Sequence, residues 1–131
     1  MIVVDTSVWI DYFANRDSEG TELLEQLTGD SEIILGDLVL VELLQGLKDG
    51  PHLKLVQAVL SPLSIKTLCG PDIAPIAAAN YRKLRQNGIT IRGTIDVIIA
   101  TWCIENGAML LHNDRDFGKM EKVIGLTSWR G

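Results

Sequence analysis

Apolar residues fall along the chain in two ways: short unbroken runs, and longer stretches in which they recur every three or four positions. That alternation predicts strands interleaved with helices. Ile2-Val3-Val4, Ile33-Ile34-Leu35 and Met109-Leu110-Leu111-His112 show no polar alternation, as expected of strands covered on both faces. Residues 62–68 do alternate, which predicts a strand with one wetter face at a sheet edge. Ser7 is placed to cap a helix through Val8, Trp9, Ile10, Tyr12 and Phe13. A polar loop over 15–20 leads to a short amphipathic helix over 21–27, closed by Gly29. Asp37 is a reasonable N-cap for a helix over 38–47. That helix is apolar almost all round, interrupted only by Glu42 and Gln45, and is therefore expected to be well buried.

Gly50-Pro51 breaks the chain before a helix over 53–60. The longest helix begins at Asp72, with Ile73, Ile76, Ala77, Tyr81 and Leu84 at helical spacing, and ends at Gly88. After a connector over 89–93, Thr94 caps a helix over 95–105 that Asn106-Gly107 terminates. Residues 113–117 read as a polar loop, 119–123 as a short helix, and 126–128 as a further strand. Strands alternating with helices throughout imply an α/β fold, a mostly parallel central sheet with helices on both faces. At 131 residues, one domain over 1–131 is expected.

The balance of 47% hydrophobic and 22% charged residues is that of a soluble globular protein. No apolar run is long enough to span a bilayer, and the opening residues lack the basic lead and cleavage site of a signal peptide, so a cytoplasmic location without membrane association is expected. Cys69 and Cys103 form no Cys-x-x-Cys pair and lie in apolar surroundings, which suits reduced, buried thiols. The net charge of -5 ordinarily argues against a nucleic-acid partner. Setting aside five acids, Asp5, Glu42, Asp96, Asp114 and Asp116, leaves 12 against 12 Lys plus Arg. The acidity is then local to one cluster.

Those acids occupy positions where burial should penalise them: Asp5 directly after a core strand, Glu42 in an apolar helix, Asp96 in the first turn of a helix, and Asp114 after Leu110-Leu111. Asp5 should stand at the carboxyl edge of its strand beside a helix amino terminus, where open α/β sheets bind ligands. Each acid also fits a plain structural role. Glu42, Gln45 and Asp49 match one solvated helical stripe; Asp96 suits the helix dipole; Asp114 and Asp116 suit a loop, and Asp116 a cap of the final helix. Several carboxylates buried together repel one another, and a shared divalent cation relieves both repulsion and desolvation. Other chemistries fit less well. His52 and His112 are the only histidines and have no zinc-site spacing; no phosphate-cradling glycine loop or nucleophile elbow is present; Trp9, Trp102 and Trp129 are scattered.

Asp5-Thr6-Ser7 after the first strand, Glu42 in Val41-Glu42-Leu43-Leu44-Gln45-Gly46, Asp96 in Arg92-Gly93-Thr94-Ile95-Asp96, and Asn113-Asp114-Arg115-Asp116-Phe117 together resemble the PIN domain. More narrowly, the chain resembles the VapC-type toxin ribonucleases of type II toxin–antitoxin pairs, in order and spacing over essentially its whole length. The resemblance implies a PIN-like α/β/α sandwich and a Mg2+- or Mn2+-dependent endoribonuclease cutting single-stranded regions of RNA. It implies Asp5, Glu42, Asp96 and Asp114 as the acidic metal site, Asp116 as a supporting ligand, and Thr6 as the polar neighbour orienting Asp5. A VapB-like antitoxin whose tail blocks the groove, and a homodimer, are the implied partners.

With no histidine pair to activate a ribose 2′-OH, metal-activated water should attack phosphorus in line, leaving a 5′-phosphate and a 3′-OH. Arg92 and Lys48 are candidates for holding substrate phosphate. Two other classes compete. A non-catalytic PIN-fold module that binds protein or RNA has no need of divalent-cation affinity. An aspartyl-phosphate protein using Asp5 as nucleophile wants a second Asp where Ser7 stands, or paired acids on the first strand with a late lysine.

Overall fold

The computed structural model describes residues 1–27 and 32–130. Strands β1 (Ile2–Val4), β2 (Ile33–Gly36), β3 (Ser64–Lys66) and β4 (Met109–Leu111) form a sheet in the order β3-β2-β1-β4. All three pairings are parallel, with Val3 opposite Ile34 and Leu110, and Val4 opposite Leu111. Val3, Val4, Ile34 and Leu110 are fully enclosed, as their unalternating sequence requires of strands covered on both faces. β3 lies at an edge with all three residues exposed. The expected strand over 126–128 is reduced to one parallel bridge, Ser128 to Leu110, in which the Leu110 N–H donates to Thr127 O at 3.0 Å and the Trp129 N–H to Leu110 O at 2.8 Å.

The helices are α1 (Thr6–Phe13), α2 (Glu19–Gln26), α3 (Asp37–Gln45), α4 (Pro51–Leu60), α5 (Gly70–Gln86), α6 (Thr94–Asn106) and α7 (Arg115–Ile124). α1 packs on α2 and α3, while α5 packs on α6 and α7. From the central β1 the chain moves outward through β2 and β3, then returns to place β4 on the other side of β1. The reversal makes the carboxyl ends of β1 and β4 the switch point of the sheet, where α/β folds form their binding crevice.

Helix starts are where the structure departs most from the hydropathy pattern. Asp5, not Ser7, caps α1; Gly93, not Thr94, precedes α6; Gly36, not Asp37, precedes α3. α5 begins at Gly70, ahead of Asp72, and α7 begins at Arg115, so most of the expected polar loop is helical. α2 starts at Glu19 through a capping box between Ser18 and Thr21. The expected closure at Gly29 lies outside the described residues. A common cause acts at β1–α1 and β2–α3, where strand runs into helix with no loop and the residue at the strand's end becomes the cap. Freed from capping, the Asp37 carboxylate accepts the N–H of Leu38 at 2.8 Å and of Leu68 at 3.0 Å, tying α3 to the segment after β3.

The expectation that α3 is well buried fails. Only Val39 and Leu43, one turn apart, are buried, and Val41 is 57% exposed. One face is enough to dock the helix on β2, and the remaining apolar residues form surface.

Gly36 shows how tightly that junction is built. A Cβ there overlaps Leu68 Cδ1, and Leu68 is itself fully enclosed, so it has little room to give. Gly36→Ala is expected to destabilise the fold by about 1–3 kcal/mol, read from the urea midpoint at unchanged slope.

Candidate metal centre

Three helix amino termini converge on the switch point. Asp5 caps α1, Asp114 caps α7, and Asp96 lies in the first turn of α6, so each carboxylate meets the positive end of a helix dipole. The Asp5 N–H donates to Leu111 O at 2.9 Å, extending the β1–β4 pairing and holding Asp5 beside the strand that leads to Asp114. One carboxylate oxygen from each of Asp96, Asp114 and Asp116 lies within 4.8 Å of the others. Asp5 and Glu42 stand outside that trio but within reach of its charge. Asp5 is almost wholly buried, and both raise the carboxyl of Asp96.

The hydrogen bonds assign partners differently from the sequence reading. The Thr6 hydroxyl donates to Glu42 Oε1 at 2.9 Å, not to Asp5. Ser7 orients Asp5 instead: its hydroxyl and its N–H donate to Asp5 Oδ2 at 2.6 and 3.1 Å. The reason is the cap. A carboxylate at the N-cap faces the second helical residue, and that residue is Ser7. The Ser7 oxygen also accepts the Asn113 N–H at 3.2 Å, linking the first turn of α1 to the turn that carries Asp114. Asp114 Oδ1 accepts the Asp116 N–H at 2.9 Å, so the cap belongs to Asp114 rather than Asp116. Arg92, in the connector before α6, and Lys48, just beyond α3, are exposed.

Burial is the largest influence on every shifted acid here. It pushes the Asp96 carboxyl up to about 7, with the charges of Asp5, Asp114, Glu42 and Asp116 adding in that order. Burial also raises Asp5 against the hydrogen bonds from Ser7 and Thr6, and raises Glu42 against its bond from Thr6. Cys103, a free thiol, goes up to about 12 through burial and the nearby Asp5, which leaves it inert. These acids hold mutual repulsion that a proton or a cation relieves. Hard carboxylate oxygens gathered this closely suit a divalent cation of the Mg2+ or Mn2+ type.

Besides Ser7, sequence reasoning gave no site role to two residues beside this cluster, Asn113 and His112. Asn113 binds outward: its Nδ2 donates to Asp11 at 3.0 Å and to Ser18 at 3.0 Å, while its Oδ1 accepts the Gly20 N–H at 3.1 Å. His112 accepts the Asp114 N–H at Nδ1, 3.2 Å away. The signal for both is adjacency to Asp114, which for His112 reads by sequence as strand-end packing rather than metal ligation.

The profile of the PIN domain matches residues 2–123, and the chain belongs to that family. Among curated proteins it is similar to Ribonuclease VapC11 of Mycobacterium tuberculosis strain H37Rv, at 31% identity over 98% of this chain and 97% of that protein. Its fold matches VapBC2 from Rickettsia felis, solved bound to a DNA fragment from its promoter, with TM-score 0.76 and 22% identity over 98% of each chain. It also matches FitAcB from Neisseria gonorrhoeae, with TM-score 0.75 and 20% identity over 99% of this chain and 98% of that one.

Proposed function

We propose that this chain is the ribonuclease toxin of a toxin–antitoxin pair, and that Asp5, Glu42, Asp96, Asp114 and Asp116 form its divalent-cation site, filled by Mg2+ or by Mn2+. The observation that carries this reading is the meeting of Asp96, Asp114 and Asp116 within 4.8 Å, from parts of the chain the fold alone brings together. A VapC ribonuclease alike along nearly the whole chain supplies the substrate class. The bound cation supplies positive charge to the phosphodiester and lowers the pKa of water. Asp96, Asp114 and Asp116 hold it. Asp5, fixed by Ser7, and Glu42, fixed by Thr6, complete the acidic wall. Arg92 and Lys48, both exposed, are the cations assigned to substrate phosphate.

Both ring nitrogens of His112 are engaged, by the Asp114 N–H and by Ser128, and His52 lines a different groove between α1 and α3–α4. Neither is free to take a proton from a ribose 2′-OH. Cleavage therefore proceeds by in-line attack of water and leaves a 5′-phosphate and a 3′-OH. Incubating the purified chain with single-stranded RNA, with and without Mg2+ and EDTA, tests this. Mg2+-dependent cutting and ligatable 5′-phosphate ends are expected, and cyclic phosphate ends refute the mechanism.

The His52 groove bears on the partner. Ile10, Phe13, Leu43, Leu47 and Val56 line it, and Ile10 is 45% exposed. Together with Val41, 57% exposed on α3, it offers the apolar surface that a VapB-like antitoxin covers. A homodimer and a cytoplasmic setting complete the reading, with residues 1–131 as one PIN unit. No helix among the described residues is long and apolar enough to cross a membrane.

A further inference from the structure

We infer that His112 is a positioning residue for the metal centre, a neutral imidazole wired to the C-terminal segment that fixes the backbone of Asp114 and so the aim of its carboxylate. The inference rests on the reading of Asp114 as a metal ligand and adds a residue, and a remote support, to it.

As N-cap of α7, Asp114 has a backbone N–H that points away from the helix and needs an acceptor. In a capping box the third helical residue supplies one, but in α7 that residue is Phe117, which has none to offer. His112 Nδ1 takes the role at 3.2 Å. Because Nδ1 accepts, the neutral ring carries its proton on Nε2 and donates to Ser128 Oγ at 2.8 Å. The Ser128 hydroxyl in turn donates to Glu121 Oε1, which also accepts from Arg130 Nη2 at 2.7 Å. Donation then runs one way from the Asp114 N–H through His112 and Ser128 to the Glu121 carboxylate, which Arg130 meets from the other side. The ring is also clamped, its centroid 5.1 Å from that of the fully enclosed Phe117.

Two features mark this as more than packing. Ser128 and Arg130 lie beyond residue 123, where the family match ends, and the bridge of Ser128 to Leu110 brings their segment alongside β4 and the centre. Asp114 is also held at its carboxylate by the Asp116 N–H, so with His112 both the backbone and the side chain of one acid of the trio are fixed. Groups that orient a ligand commonly change metal affinity by about 10–100-fold.

Three substitutions separate the roles of the ring. His112→Phe keeps the aromatic contact with Phe117 and removes the acceptor. His112→Asn puts an amide oxygen where Nδ1 stood and loses the ring. His112→Gln places its amide nearer the Nε2 position and leaves the Asp114 N–H unmet. Mn2+ affinity is read from the free-ion electron paramagnetic resonance signal. It is expected to fall about tenfold in the Phe and Gln variants and to recover within about threefold of the parent in the Asn variant. Phe binding as tightly as the parent, or Asn no better than Gln, overturns the inference.

Ser128→Ala leaves residue 112 intact and guards against misfolded variants; an affinity loss of about threefold is expected, and no loss counts against the relay. Metal-free nitrogen-15 spectra give a separate reading. A ring protonated on Nε2 and a slowly exchanging Asp114 amide support the inference, and a ring protonated on Nδ1 overturns it. If the parent chain takes up no Mn2+, the metal reading itself fails, while the metal-free spectra still judge the hydrogen-bond chain.

Discussion

Asp96→Asn is expected to abolish RNA cleavage, by roughly 10²–10³-fold or more in kcat/KM, while leaving a folded protein. The variant removes one of three oxygens that lie within 4.8 Å of one another and puts a neutral amide in its place. It also removes the acid whose carboxyl burial and four neighbouring charges push up to about 7. Without metal, the variant should melt above the parent at pH 8, because the repulsion centred on Asp96 is gone. Loss of function with gain of stability is the signature of an acid kept for chemistry. Asp72→Asn, on an exposed acid in the first turn of α5, is the control and should change neither quantity by much. Unfolding of Asp96→Asn would instead mark Asp96 as structural.

The second large effect is the dependence of stability on pH and metal. Asp96 titrates near 3.8 when unfolded and at about 7 when folded, so the native state binds its proton more tightly. Its contribution is fully present below the unfolded value and is lost as pH rises through about 7. Asp5 and Glu42, also raised, act in the same direction. The metal-free protein should therefore lose stability between pH 5 and 8. Mg2+ competes with those protons, so it should stabilise strongly at pH 8 and weakly at pH 5.5. At a hundred times its Kd the ion adds about 2.7 kcal/mol, a shift in Tm of roughly 8 °C for a domain of this size. Scanning calorimetry at the two pH values, with Mg2+ and with EDTA, measures it. An equal shift at both would mean that the ion binds elsewhere.

The parts of this protein legible in its sequence are those where one residue breaks a local rule. Asp5 ends an unalternating apolar run, and Glu42 interrupts an apolar helix; both anomalies could be seen without coordinates. The parallel sheet was legible for the same reason, since strands covered on both faces leave a continuous apolar trace. What stayed hidden depends on direction or on partners distant in sequence. Thr6 and Ser7 are adjacent hydroxyls, and only the helical path after Asp5 sends one to Glu42 and the other to Asp5. Nothing in a string of residues joins His112 to Ser128 and Glu121, which the bridge beside β4 and the turn of α7 bring together. The exposure of α3 was misjudged because hydropathy records how apolar a helix is, not how many of its faces the fold covers. Val41 is as apolar as Val39, yet one is 57% exposed and the other fully enclosed.

Crystals of the chain soaked in Mn2+ and measured at the manganese absorption edge test the central claim most directly. An anomalous peak is expected within coordination distance of oxygens of Asp96, Asp114 and Asp116, and it should vanish in Asp96→Asn. Manganese bound only away from these three carboxylates, in a protein that still cuts RNA, would contradict the account.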